Sequence, residues 1–210
     1  LLKNNLILGS VSLETHLYEI SIFYSLKRNK NCYTIHMFMA PAQTLSACNL
    51  QVTDSVADFG AGSGFMARAV AEMLTSGNVF AVEINRELVS RMLHDADENK
   101  LKNFHPLWGD IEIEGGSKLD NGSVDMVILS NILFQIDDKR GALKEATRVL
   151  KNGGRVLIID WQESFGGLGP VPERVFTKMQ AEELAKSIGL TKLSDGLPTG
   201  DHHYAILFKK

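Results

Sequence analysis

From residue 55 onward, short and nearly unbroken apolar runs alternate with longer amphipathic stretches. The runs predict strands at Ser55–Phe59, Val79–Val82 (closed by Glu83), Phe104–Trp108, Val124–Leu129 and Arg155–Ile159 (closed by Asp160). The nearly unbroken run Val124–Leu129 suits a strand covered on both faces. The amphipathic stretches predict helices. The first is Gly64–Thr75, ended by Ser76-Gly77-Asn78. The second is Arg86–Glu98, capped by Asn85, with Leu88, Val89, Met92, Leu93 and Ala96 as its apolar face. A third occupies Asp138–Leu150 and is stopped by Asn152-Gly153-Gly154. The fourth, Lys178–Ile188, has the capping-box spacing Thr177/Gln180 at its start and Gly189 at its end. The last two strands, Leu190–Leu193 and His203–Lys209, have only a turn-rich segment between them, so they form a hairpin and the last strand runs antiparallel.

Strands alternating with helices through short connections specify an α/β fold: one Rossmann-like sheet of seven strands, mostly parallel with an antiparallel last strand, and helices on both faces. Residues 51–210 form this domain, and residues 1–50 an N-terminal extension that is harder to read. There, Leu13, Leu17, Ile20 and Tyr24 share a helical stripe after Ser12, which predicts a helix near 13–28, with a strand over Tyr18–Leu26 as the alternative. Pro41 opens a short helix through Cys48.

Composition changes this picture little. The chain has 210 residues, 44% hydrophobic and 22% charged, which is enough to core one α/β domain and excludes global disorder. A net charge of -3 leaves no electrostatic footprint for nucleic acid, and the run Lys27-Arg28-Asn29-Lys30 reads as a solvated helix end. Cys32 and Cys48 lack metal-ligand spacing and read as idle thiols of a reducing compartment. No apolar run reaches membrane-spanning length, no secretory-signal pattern is seen, and the expected location is cytoplasmic.

The candidate chemistry starts in Asp58-Phe59-Gly60-Ala61-Gly62-Ser63-Gly64. A strand, a glycine loop and a helix N-terminus make a small-molecule site of the nucleotide-binding kind, because the bare loop lets a ligand touch backbone. Acids recur at the next strand ends, Glu83 and Asp110, and Asn131 follows the fourth strand. A carboxylate at Glu83 is placed to accept from vicinal ribose hydroxyls, and one at Asp110 to accept from an adenine amine. The glycine spacing is G-x-G-x-G, with Phe65 where a dinucleotide fingerprint needs glycine, which disfavours a nicotinamide-dependent oxidoreductase.

The Asp58–Gly64 segment resembles motif I of the class I S-adenosylmethionine-dependent methyltransferases. Glu83, Gly109-Asp110 and the stretch Glu145–Val156 extend the resemblance, the last being similar to the E-x-x-R-V-L-K-P-G-G segment of small-molecule and quinone-type members, with Asn152 in place of proline. The resemblance implies S-adenosylmethionine as cofactor and S-adenosylhomocysteine as product. It places Gly60, Gly62 and Gly64 against the methionine portion and ribose, and Asp58 near the ammonium. Glu83 would take the ribose hydroxyls, Ile84 the adenine face, Asp110 and Ile111 the adenine, and Asn131 the sulfonium end. It also implies that residues 1–50 cover the acceptor as a lid.

The expected activity is methyl transfer to a small-molecule acceptor by in-line displacement; a non-catalytic S-adenosylmethionine-binding partner protein is the alternative. Transfer of this kind needs mainly alignment and exclusion of water, with a base only for a protonated nucleophile. Candidate acceptor-side residues are Asn131–Gln135, Asp160-Trp161-Gln162 and Asp201-His202-His203, with Asp160, His202 and His203 as catalytic candidates and Trp161, Phe165 and Phe134 as pocket aromatics. No further ligand cluster accompanies the Asp-His-His run, so no metal is expected. Asn131-Ile132-Leu133-Phe134 lacks the prolines of the N-P-P-Y signature of amino-methylating nucleic-acid enzymes.

Overall fold

A computed structural model describes residues 41–165, 167 and 169–210. The helix anticipated near 13–28, the Lys27–Lys30 run and Cys32 lie outside the described residues. The elements are α1 Pro41–Ser46, β1 Ser55–Phe59, α2 Phe65–Met73, β2 Asn78–Glu83, α3 Arg86–Glu98, β3 Phe104–Trp108, β4 Val124–Ser130, α4 Lys139–Val149 and β5 Leu150–Trp161. A short 3-10 turn at Pro172–Arg174, α5 Lys178–Ser187, β6 Thr191–Asp195 and β7 His203–Lys209 complete the fold. The seven strands form one sheet in the order β3-β2-β1-β4-β5-β7-β6. The pairs among β1–β5 are parallel, and β7 runs antiparallel to both β5 and β6, as the missing crossover helix predicts.

Side-chain alternation along the strands sorts two core layers. On one face Val56, Ile128, Leu157 and Ile159 pack with Leu45 of α1, Met66 and Val70 of α2, and Val89 and Met92 of α3. On the other, Ala57, Phe59, Val127, Leu129 and Ile158 pack with Leu143 and Ala146 of α4 and Ala181 and Ala185 of α5. Phe59 and Leu129 are fully buried, each stabilising the fold by about 2–3 kcal/mol.

The helices begin where their caps dictate. Asn85 Oδ1 accepts from the N–H groups of Glu87 and Leu88 at 2.9 and 3.4 Å. Thr177 and Gln180 form the reciprocal capping box that their spacing predicts. At the edge of the sheet where the parallel strands begin, Asp125 Oδ2 accepts from Ser55 N at 2.8 Å, and Arg155 bridges Asp54 at 3.0 Å and the Cys48 carbonyl. Cys48 is a buried free thiol, its pKa pushed up by burial to about 11.

Several expected boundaries are corrected. α1 stops at Ser46 rather than Cys48, α2 at Met73 rather than Thr75, and α5 at Ser187 rather than Ile188. β6 runs Thr191–Asp195, shifted from Leu190–Leu193, and has a register break between Lys192 and Ser194. The largest correction concerns Asn152-Gly153-Gly154. α4 already ends at Val149, and these residues lie inside β5 as an irregularity: Val124 pairs Leu150, whereas Met126 pairs Arg155. The C-terminal residue supplies partners there, Lys210 N donating to Gly154 O at 2.9 Å and its Nζ to Leu150 O at 2.6 Å.

Candidate active site

The strand order reverses between β1 and β4, and their carboxyl ends open the crevice where ligands bind in open α/β sheets. The loop leaving β1 turns through three positive-φ glycines, Gly60 at 73°, Gly62 at 56° and Gly64 at 80°. Gly60 and Ala61 both donate N–H to the Val82 carbonyl, at 2.9 and 3.1 Å, so the loop hangs from β2. A Cβ on Gly60 would lie 2.5 Å from the Ile132 side chain, and one on Gly64 2.8 Å from Met92 Sδ. At Gly62 a Cβ would meet nothing within 4 Å among the described residues.

Asp58, at the base of this loop, is 2% exposed. Its Oδ2 is buried and has no hydrogen-bond partner among the described residues. Burial first, and the nearby Glu83 charge next among the raising influences, push its carboxyl up to about 7 although the Ala67 N–H draws it down. Glu83 is nearly buried, and its two oxygens accept from Gly62 N and Asn85 N, each at 2.9 Å. One carboxylate therefore ties the glycine loop to the α3 cap.

A cleft of about 300 Å³ is lined by Gly60, Glu83, Ile84, Asp110, Ile111 and Ile132, among others. Five of the ten lining residues, Gly60, Glu83, Ile84, Asp110 and Ile111, are ones the sequence singles out for the cofactor. Ile84 is exposed on the outer wall, where its carbonyl accepts from Trp108 Nε1 at 2.9 Å while Arg86 lies 3.8 Å over the Trp108 ring. Asp110 Oδ1 accepts from Glu112 N at 3.0 Å, and Ile111 is buried. Asn131 follows β4 with φ 55°, a left-handed conformation that its short polar side chain tolerates, and its N–H donates to Ile159 O at 2.8 Å.

The acceptor-side candidates share an edge of the sheet but do not form one constellation. Asp160 pairs with Tyr204 across β5 and β7, and Trp161 with His203, so Asp160 faces the α4–α5 layer while His203 faces the other. Asp160 is fully buried, accepts from Phe134 N and Trp161 N at 3.3 and 2.8 Å, and is pushed up to about 7 by burial against these opposing donors. His203 is 5% exposed, both its ring nitrogens lack partners among the described residues, and its ring centroid lies 4.2 Å from that of Trp161. Burial, and then the neighbouring His202, lower its pKa to about 4, so it is neutral at physiological pH. His202 Nδ1 lies 2.9 Å from Glu163 Oε1, with the ring stacked on Phe165 at 3.6 Å. Trp161 is buried beneath Gly169, where a Cβ would come within 2.7 Å of its ring, so it fills space between loop and sheet.

The sequence places Ile132 only within the acceptor-side run Asn131–Gln135, whereas in the structure it closes over Gly60. Sequence reasoning missed what Glu145 and Arg148 do: their spacing puts them on one helix face, but their partners lie about thirty residues away. Among the described residues no group of three or more His, Cys, Asp or Glu is placed to hold a metal, and no helix is long and apolar enough to cross a membrane.

Comparison with known proteins fits this arrangement. The family described as "Methyltransferase domain" matches residues 50–201. An arsenite methyltransferase of Halobacterium salinarum is 30% identical over 108 residues, 51% of this chain and 27% of that protein. The ubiquinone/menaquinone biosynthesis C-methyltransferase of Francisella tularensis subsp. novicida is 25% identical over 151 residues, 70% of this chain and 58% of that one. The chain thus spans less than two thirds of the length of either relative. A structure of an S-adenosylmethionine-dependent methyltransferase from Aquifex aeolicus superposes with a TM-score of 0.76, at 22% identity, over 90% of this chain and 97% of that one, and shows the shared fold. A buried carboxyl oxygen at Asp58 and the room beside Gly62, neither of them met by a described residue, fit a cationic amino-acid portion lying on the loop. The chain belongs to the methyltransferase-domain family, with the class I fold and S-adenosylmethionine as its cofactor.

Proposed function

We propose that this chain transfers a methyl group from S-adenosylmethionine to a small, apolar or aromatic acceptor by in-line displacement. The observation that carries the reading is Asp58 Oδ2, a buried carboxyl oxygen with no partner among the described residues, beneath a loop of positive-φ glycines. In this reading Asp58 meets the ammonium of the cofactor, Gly60, Gly62 and Gly64 bring bare backbone to its methionine and ribose portions, and Glu83 takes the ribose hydroxyls. Ile84 and Ile111 flank the adenine, Asp110 accepts from its amine, and Asn131 borders the sulfonium end. When bound, the cofactor supplies a methyl group already activated on sulfur. The protein's share is then to align the acceptor and exclude water.

At the acceptor end, His203 is a neutral ring whose two buried nitrogens are unpartnered among the described residues, which suits hydrogen bonding to a polar atom of the acceptor. Asp160 and His202 border the same edge and are the remaining candidates for moving a proton. Residues 1–50 are assigned to the acceptor's cover. Support comes from α1, where the Thr44 hydroxyl donates to the Pro198 carbonyl in the β6–β7 turn, at the edge where β7 starts. The choice of a small apolar acceptor draws on the quinone-biosynthesis relative. The test is titration with S-adenosylhomocysteine, followed by incubation with labelled S-adenosylmethionine and small-molecule extracts. Saturable binding and label in an extractable product are expected; failure of the intact protein to bind either form of the cofactor overturns the reading.

A further inference from the structure

The segment after β3 folds back on itself before β4 begins. Gly116 is its pivot. The Gly116 carbonyl accepts from Asp110 N at 3.1 Å, and a Cβ on Gly116 would lie 2.0 Å from the Asp110 carbonyl oxygen. A Cβ on Gly109 would in turn lie 2.6 Å from the Gly116 carbonyl oxygen. Backbone packed this closely moves as one piece, so the place of Gly116 decides the place of Asp110.

Gly116 is itself held from α4. Glu145, whose side chain is fully buried, accepts from Gly115 N at 2.9 Å and from Ser117 N at 3.1 Å, the two residues flanking Gly116. It also accepts from the Ser117 hydroxyl at 2.5 Å. Arg148, one helical turn on, donates to both carboxylate oxygens at 2.7 Å and to the Leu119 carbonyl at 2.8 Å. Burial pushes the Glu145 carboxyl up, but the donors from Arg148, Ser117 and Gly115 outweigh it and hold it at about 2. It is therefore ionised across the physiological range. Glu145 does not line the cleft that contains Asp110 and Ile111.

We infer that Glu145 is a positioning residue for purine recognition: by gripping the backbone on both sides of Gly116 it sets the Asp110 edge of the cleft, and so the preference for an adenine over a purine lacking the exocyclic amine. The inference rests on the reading of Asp110 as the acceptor for that amine. Calorimetric Kd values for S-adenosylhomocysteine and S-inosylhomocysteine, which has a carbonyl in place of the amine, test it in the wild type and in Glu145→Gln. The wild type should prefer the adenine ligand by about tenfold to a hundredfold, the range for one hydrogen bond to a charged group. Glu145→Gln should narrow that preference to within about threefold, chiefly by weakening the adenine ligand. A merely structural role would lower Tm and weaken both ligands alike, and an unchanged ratio overturns the inference. Where Glu145→Gln fails to fold, Gly116→Ala displaces the same pivot from the loop side, and the same narrowing or its absence decides. A wild type that binds both ligands equally removes the Asp110 assignment and the inference with it. One that binds neither overturns the cofactor reading itself.

Discussion

Asp58 should betray the cofactor through its proton. Its carboxyl is held at about 7 against an ordinary 3.8, so near pH 7 about half of the unliganded molecules carry a proton there. A cation seated against Oδ2 favours the carboxylate, and ligand binding at pH 7 then releases about half a proton. Titrating S-adenosylhomocysteine in two buffers of different ionisation enthalpy measures this directly. In Asp58→Asn, which keeps the shape and has nothing to ionise, the release should fall to near zero. Asp160, also pushed up to about 7, faces the opposite layer and is common to both proteins, so it does not affect the difference. The same shift governs stability. Between about pH 4 and 7 the folded chain keeps a proton that the unfolded chain has lost, so the stability of the free protein falls as pH rises through that window. The shift from 3.8 to about 7 corresponds to about 4 kcal/mol over the full span, at 1.36 kcal/mol per pKa unit. Chemical denaturation of Asp58→Asn should show a correspondingly flatter pH dependence. Equal proton release in both proteins, or none in the wild type, refutes the placement of a cation at Asp58.

Glu83→Ala removes the carboxylate that holds Gly62 N and Asn85 N and, in the proposed reading, both ribose hydroxyls; losing two ribose hydrogen bonds to a charged group should weaken S-adenosylhomocysteine binding by about a hundredfold or more. Binding within threefold of the wild type counts against Glu83 as the ribose ligand. Gly62→Ala meets nothing within 4 Å among the described residues, so melting should show only the strain of positive φ, roughly 1–2 kcal/mol, while calorimetry shows a larger loss of cofactor affinity; losses of equal size argue against a ligand beside Gly62. Gly60→Ala drives a methyl into Ile132 and should abolish binding; adding Ile132→Ala should restore it only in part, because φ 73° remains strained. Glu145→Ala should cost about 3 kcal/mol at neutral pH, from a carboxyl held at about 2 against 4.5. That contribution is present above pH 4.5 and fades as pH falls toward 2, so denaturation curves of the two proteins should converge in acid.

The central strands were legible because a two-sided parallel sheet demands nearly unbroken apolar runs, and Ser55–Phe59 and Val124–Leu129 fall where those runs lie. Asn85 and Thr177 were legible because a cap is a local event, decided within three residues. Asn152-Gly153-Gly154 misled because a glycine pair after a helix looks the same whether a loop or an irregular strand follows. The difference is made by Lys210, at the other end of the domain. The positions of Asp58, Glu83, Asp110 and Asn131 at or beside strand ends were readable one by one, since each accompanies a strand in a fixed order. The separation of Asp160 from His203 was not, because it depends on the β5–β7 register that only the folded pairing supplies. The grip of Glu145 on Gly115 and Ser117 was hidden for the same reason.

The two outermost strands bear on how copies of this chain meet. β3 contains Pro106, which has no N–H to offer a further strand, and β6 is broken in register beside Lys192 and Asp195, charges already engaged with Glu182 and Lys178. Neither margin presents an uninterrupted row of hydrogen-bonding groups. Both margins therefore disfavour growth of the sheet by strand addition. A single residue guards one of those margins: replacing Pro106 by valine would restore a donor and a β-branched side chain at the same position, leaving β3 open to a neighbour's strand.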